Sequence, residues 1–136
     1  MSDTGVADRI EPTGEARRKN WSRLREGLDG VPGLLLPRAT AGSDPSWFGF
    51  ALTVLPDAAY TRRDLQNHLE GRRIGTRRLF GGNLTRHPAY EGANFRVSGS
   101  LANSDTITES TFWIGVYPGI TDEMLDYVIA TIRDFA

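Results

Sequence analysis

Ser46-Trp-Phe-Gly-Phe-Ala-Leu-Thr-Val-Leu55 is the strongest strand signal in the chain, an aromatic and β-branched run closed by Pro56. It is apolar enough to lie centrally in a sheet. Ahead of it, Leu34-Leu35-Leu36 reads as a short strand between turn residues Gly33 and Pro37, and a loop follows through Gly42 and Pro45. Further upstream, Trp21, Leu24, Leu28 and Val31 recur at helical spacing, so an amphipathic helix is expected from Glu15 to the stop at Gly30 and Pro32. Residues 1–13 lack periodicity and are expected to be a flexible start, which leaves 14–136 as the folded domain.

Downstream, Thr61 can cap a helix whose first turn carries Asp64 and whose core positions are Leu65 and Leu69, ending at Gly71. Ile74–Leu79 reads as a short strand and Leu101–Glu109 as a short helix. Thr111-Phe-Trp-Ile-Gly-Val-Tyr117 reads as another strand, stopped by Pro118-Gly119. Thr121 caps a last helix with Leu125, Val128, Ile129 and Ile132 on its buried stripe. The result is an α+β sandwich of helices on a short sheet. Trp47, Phe48, Phe50, Phe112, Trp113 and Tyr117 are expected to pack in its core.

The bulk composition narrows the function. The 136 residues suit one domain, and 16 Lys and Arg against 17 Asp and Glu argue against a dedicated nucleic-acid binder. Without cysteine there is no disulfide, thiolate zinc site or cluster ligation by this chain. His68 and His87 are too few for a multi-histidine metal site. His68 is expected to be solvated and His87 to be a hydrogen-bonding spacer. The polar N-terminus is no secretory signal, and no apolar run approaches the roughly 20 residues that span a bilayer. The expectation is a cytoplasmic protein, for which the sequons at Asn20 and Asn83 carry no meaning. No Ser-His-Asp, paired-carboxylate or phosphate-loop signature occurs.

Arg72 to Arg86 holds five arginines around Gly81-Gly82. A guanidinium fork donates two hydrogen bonds to phosphate, and a glycine pair lets backbone N–H groups approach a ligand. Asn83 and Thr85 can bond sugar hydroxyls. Arg77, Asn83, Thr85 and Arg86 are therefore the candidate substrate-binding residues, with no catalytic, cofactor or metal residue assigned. Arg72, Arg73 and Arg78 read as solvated.

Three segments together, Ser43–Phe50, Ile74–Tyr90 and Thr111–Ile120, resemble the C-terminal end of the CDP-4-keto-6-deoxy-D-glucose 3-dehydrases. These belong to the DegT/DnrJ/EryC1/StrS sugar aminotransferase superfamily, and Gly81–Tyr90 is the most specific part. The resemblance implies the small C-terminal domain of an aspartate-aminotransferase-type, fold type I pyridoxal-phosphate enzyme. In that group, pyridoxamine phosphate, an iron–sulfur cluster and a reductase partner remove a sugar C3 hydroxyl in the making of dideoxysugars for lipopolysaccharide. The resemblance also implies that Arg77, Asn83, Thr85 and Arg86 lie near the sugar or phosphates of a CDP-hexose. Nothing corresponding to the cofactor-binding major domain is in the chain, so no cofactor is expected to bind it alone and no activity is expected without a complementary major-domain chain. A homo-oligomer is the other expected assembly. The alternatives are a truncated remnant and a non-enzymatic nucleotide-sugar- or partner-binding module.

Overall fold

Residues 4–136 are described by a computed structural model. The elements are α1 (Thr4–Gly27), β1 (Leu34–Leu35), β2 (Gly49–Val54), α2 (Arg62–Gly71), β3 (Thr76–Arg78), α3 (Ala102–Ser110), β4 (Thr111–Gly115) and α4 (Asp122–Arg133). The four strands form an antiparallel sheet in the order β1-β2-β4-β3. The long pairing is β2 with β4, from Gly49 opposite Gly115 to Thr53 opposite Thr111. Those two threonine hydroxyls hydrogen-bond across the strands at 2.8 Å.

Side chains alternate across a strand, so this register decides what each face carries. Phe50, Leu52 and Val54 of β2 are buried with Phe112 and Ile114 of β4. Against them pack Trp21, Leu24 and Leu28 of α1, Leu65 and Leu69 of α2, and Leu125 and Ile132 of α4. Gly49, Ala51, Thr53 and Trp113 occupy the alternate positions, on the face away from this core. The α+β sandwich is thus one-sided. Three of the six aromatics expected in the core lie outside it: Trp113 on the outward face, and Phe48 and Tyr117, which are 63% and 56% exposed. Phe48 lies just before the strand, against the outward Trp113, and Tyr117 lies beyond the last ladder residue.

Helix α1 packs on α4 closely enough that a Cβ on Gly27 would collide with Ile129. Around this crossing, Arg23 grips Asp126 with bonds of 2.7 and 2.9 Å, and Lys19 reaches Asp122 at 3.0 Å. These partners are exposed, and such pairs contribute at most about 1 kcal/mol each. The more specific tie is the buried Asn20, whose carboxamide donates to the carbonyl of Tyr117 at 3.0 Å. It is a core polar contact between α1 and the end of β4. At the far end, Arg133 donates to the carbonyls of Gly27 and Asp29, capping α1's C-terminal backbone. The expected flexible start at 1–13 falls partly on residues 1–3, outside the described residues. Among the described residues α1 begins at Thr4 and runs across Pro12, which removes one backbone N–H. No helix of the described residues is long and apolar enough to cross a membrane.

Helix α2 begins as expected with a reciprocal Thr61–Asp64 capping box. The Thr61 hydroxyl and N–H hold the Asp64 carboxyl below the usual carboxylate range. His68 departs from the solvated expectation: its ring packs 4.5 Å from Phe135 and its Nε2 meets the Thr131 carbonyl. The helix ends in a Schellman turn, with Ile74 N–H bonding Leu69 and Arg73 N–H bonding Glu70. Arg73 holds the left-handed position of that turn, at φ 62°, where glycine is favoured. Its side chain lies at the rim of an apolar groove of about 590 Å³ between the sheet and α4. Replacing it with glycine removes about 1–2 kcal/mol of left-handed strain and adds about 0.5–1 kcal/mol of unfolded-chain entropy. Arg73→Gly should therefore unfold at slightly higher urea concentration than wild type, and a lower midpoint would show that the arginine side chain stabilises the groove.

Candidate substrate-contacting loop

Strand β3 is an edge strand, with Arg77 opposite Trp113 and Arg78 opposite Phe112. Arg77 is exposed and takes the outward face with Trp113, while Trp113 Nε1 donates to the Arg78 carbonyl at 3.2 Å. Arg78 also lowers the pKa of Arg62, where burial is the larger cause. The chain then turns through two residues of positive φ, Phe80 at 49° and Gly82 at 59°. At Gly82 the turn allows only glycine, because a Cβ would run into Thr108 of α3.

Asn83 follows and ties the loop to α3. Its N–H donates to the Thr108 hydroxyl at 2.7 Å and its Nδ2 to Asp105 at 2.6 Å. Its Oδ1 accepts from the Thr85 N–H at 3.1 Å and the Thr85 hydroxyl at 2.7 Å, capping the short 3-10 turn Leu84–Arg86. Arg86 closes the network with ion pairs of 2.8 Å to Asp105 and 2.9 Å to Glu109. His87, in keeping with its expected role as a spacer, bonds the Gly81 carbonyl. A second 3-10 turn, Pro88–Tyr90, completes the segment.

Of the four candidate residues, Asn83, Thr85 and Arg86 are brought together and Arg77 stands on the neighbouring strand. Asn83 was expected to face sugar hydroxyls, yet it is only 4% exposed and both ends of its carboxamide are bonded within the protein. Its side chain holds the shape of the loop. Thr85, Arg86 and Arg77 face outward. The α3 partners Asp105, Thr108 and Glu109 escaped sequence reasoning. Their i, i+3, i+4 spacing, which puts polar groups on one helix face, was the available signal.

The described residues do not fit a pyridoxal group by themselves. The chain's one lysine, Lys19, is 65% exposed and ion-paired to Asp122 between α1 and α4, on the helix layer rather than beside the loop. No group of three potential metal ligands gathers among the described residues.

The profile of the DegT/DnrJ/EryC1/StrS aminotransferase family matches residues 7–133. Over 127 residues the chain is 62% identical to a dTDP-4-dehydro-2,6-dideoxy-D-glucose 3-dehydratase of Saccharopolyspora spinosa, covering 93% of this chain and 28% of that protein. It is 46% identical over 129 residues to the lipopolysaccharide biosynthesis protein RfbH of Salmonella typhimurium, covering 94% of this chain and 30% of the relative. The chain thus spans less than a third of the length of these relatives. In structure it is similar to the E. coli GDP-4-keto-6-deoxy-D-mannose-3-dehydratase with bound hydrated PLP, with a TM-score of 0.84 and 20% identity over 93% of this chain and 32% of the other. A similar match is S. venezuelae DesV in complex with a ketimine intermediate, with a TM-score of 0.81 and 22% identity over 95% of this chain and 33% of the other. At these identities the structures speak for the fold: a small α+β piece of a fold type I PLP enzyme.

If Asn83 is the tie between loop and helix, Asn83→Asp sets two carboxylates against each other at Asp105. One of the pair must then keep its proton above the usual carboxylate range, so the penalty is small at low pH and grows as pH rises. We expect a loss of about 2–3 kcal/mol at pH 7 and a clearly smaller one at pH 4 in urea unfolding. An equal loss at both pH values would sink the direct contact.

Proposed function

Because the chain belongs to the DegT/DnrJ/EryC1/StrS aminotransferase family, we propose that it is the C-terminal, substrate-contacting part of a nucleotide-sugar 3-dehydratase of deoxysugar or lipopolysaccharide biosynthesis. The observation that carries this reading is the 62% identity to a dTDP-linked sugar 3-dehydratase across nearly the whole chain, the clamped loop included. That relative's nucleotide differs from the CDP implied by the sequence resemblance, so dTDP and CDP sugars are both candidate ligands. The cofactor is pyridoxal or pyridoxamine phosphate, and it sits on a cofactor-bearing portion outside these 136 residues, in the same polypeptide or a second chain. When bound there, it supplies the electron sink for loss of the sugar hydroxyl. This chain alone is inactive, and its setting is the cytoplasm.

Within that division, the chain binds and orients. Arg77 and Arg86 offer guanidinium forks to the pyrophosphate of the donor. Thr85 bonds sugar hydroxyls. Asn83, through Asp105 and Thr108, positions both Thr85 and Arg86. Arg86 is already ion-paired, so removing it also loosens the loop, whereas Arg77 can be removed without losing a described partner.

The test is calorimetric titration of the chain with dTDP-glucose and CDP-glucose, beside an Arg77→Ala variant of unchanged circular dichroism. A charge-assisted hydrogen bond contributes about 1.5–3 kcal/mol, so Arg77→Ala should weaken binding about 10- to 150-fold. Equal binding by variant and wild type, or no binding by the folded chain, would count against Arg77 and this site.

A further inference from the structure

Three aromatic rings gather on the face of the sheet away from the core, outside the Asn83 network. Phe48 and Phe80 have centroids 6.2 Å apart and planes 29° from parallel, and Phe48 lies 4.9 Å from Trp113 at 54°. With Trp47, Gly49, Ala51 and Leu79 they line a basin of about 210 Å³ whose walls are almost wholly apolar. The basin is smaller than the pockets of about 300–1,000 Å³ that take drug-sized ligands, and it suits one flat ring. Gly49 belongs to its shape, since a Cβ there would stand 2.5 Å from Trp113 Cε3.

Fold stability does not account for this arrangement. Phe80 is 76% exposed and Phe48 63% exposed, so neither is held by burial. Phe80 also adopts φ 49°, a conformation that a bulky aromatic rarely takes and that asparagine or glycine would adopt with less strain. A strained, solvent-facing phenylalanine is a reason to look for a ligand.

We propose that Phe48, Phe80 and Trp113 form a stacking clamp for the nucleobase of the nucleotide sugar, beside Arg77 for its pyrophosphate. The proposal rests on the nucleotide-sugar reading above and deepens it. The Phe48 and Phe80 centroids stand 6.2 Å apart with planes 29° from parallel, an ordinary aromatic-pair spacing, so a base would stack against the exposed faces of these rings. A hexose carries hydroxyls around its edge and would leave them without partners in an apolar basin. A base presents its π-face and needs no polar lining, so such a clamp accepts either pyrimidine. Arg77 shares the outward face with Trp113, its cross-strand partner, so an apolar ring joined to a pyrophosphate matches both features in shape and charge.

The experiment is calorimetric titration of the 136-residue chain with dTDP, CDP and pyrophosphate, using wild type, Phe48→Leu, Phe80→Leu and Arg77→Ala at matched circular dichroism. Both nucleotides should bind at least tenfold tighter than pyrophosphate. Each Phe variant should lose about 5- to 150-fold for the nucleotides and nothing for pyrophosphate. Phe48→Leu covers the case in which Phe80→Leu disturbs the strained turn. The clamp is overturned by nucleotide affinities that match wild type in both Phe variants, or by no preference over pyrophosphate. Either result would leave the rings as a surface that the cofactor-bearing portion covers. Arg77→Ala reports separately on the underlying reading: undiminished pyrophosphate binding there would overturn the Arg77 phosphate site while the Phe variants still judge the clamp.

Discussion

The register of β2 on β4 is the constraint on which the molecule depends. With Gly49 opposite Gly115 and Thr53 opposite Thr111, Phe50, Leu52, Phe112 and Ile114 all point at the helices. A slip of one residue would turn that set outward and bring Thr53, Thr111 and Trp113 into the core. The Thr53–Thr111 hydroxyl bond marks the same register from the opposite face. Burial of the two phenylalanines and their aliphatic neighbours therefore leaves the other face with small residues, Trp113 and Arg77.

The loop after β3 has a different source of order. It buries little apolar surface, so it is shaped by polar groups that must find partners. Asp105 accepts from both Asn83 and Arg86, Thr108 accepts from the Asn83 backbone, and Gly82 permits the approach. On the proposed reading, a loop held this way has little ordering left to do when it meets a ligand, which reduces the entropy cost of binding. The outward groups, Thr85 and Arg86, are then carried on a support that the chain itself builds.

The buried core lies on one face of the sheet, and the chain spans less than a third of the length of the relatives it matches. The arginines of β3 and the loop after it, and the aromatics on the face away from the core, lie within these 136 residues, and the chain's one lysine, Lys19, is paired with Asp122.

Much of the fold was legible along the chain. Thr61 and Thr121 cap their helices as their side-chain chemistry dictates, and the apolar run through Phe50 and Leu52 lies inside the sheet because alternation and burial are local properties of a strand. The resemblance carried by Ile74–Tyr90 pointed to the family that the match over residues 7–133 shows. Tertiary structure decided the rest. Whether Asn83 meets a ligand or Asp105 depends on a helix 22 residues later. Whether Phe48 is core or surface depends on where the ladder ends. His68 is packed because Phe135, from the end of the chain, lies over it. Composition and periodicity determined which segments are helices and strands. Only the folded chain, by fixing which distant groups become neighbours, decided which polar side chains are consumed internally and which remain free to bind.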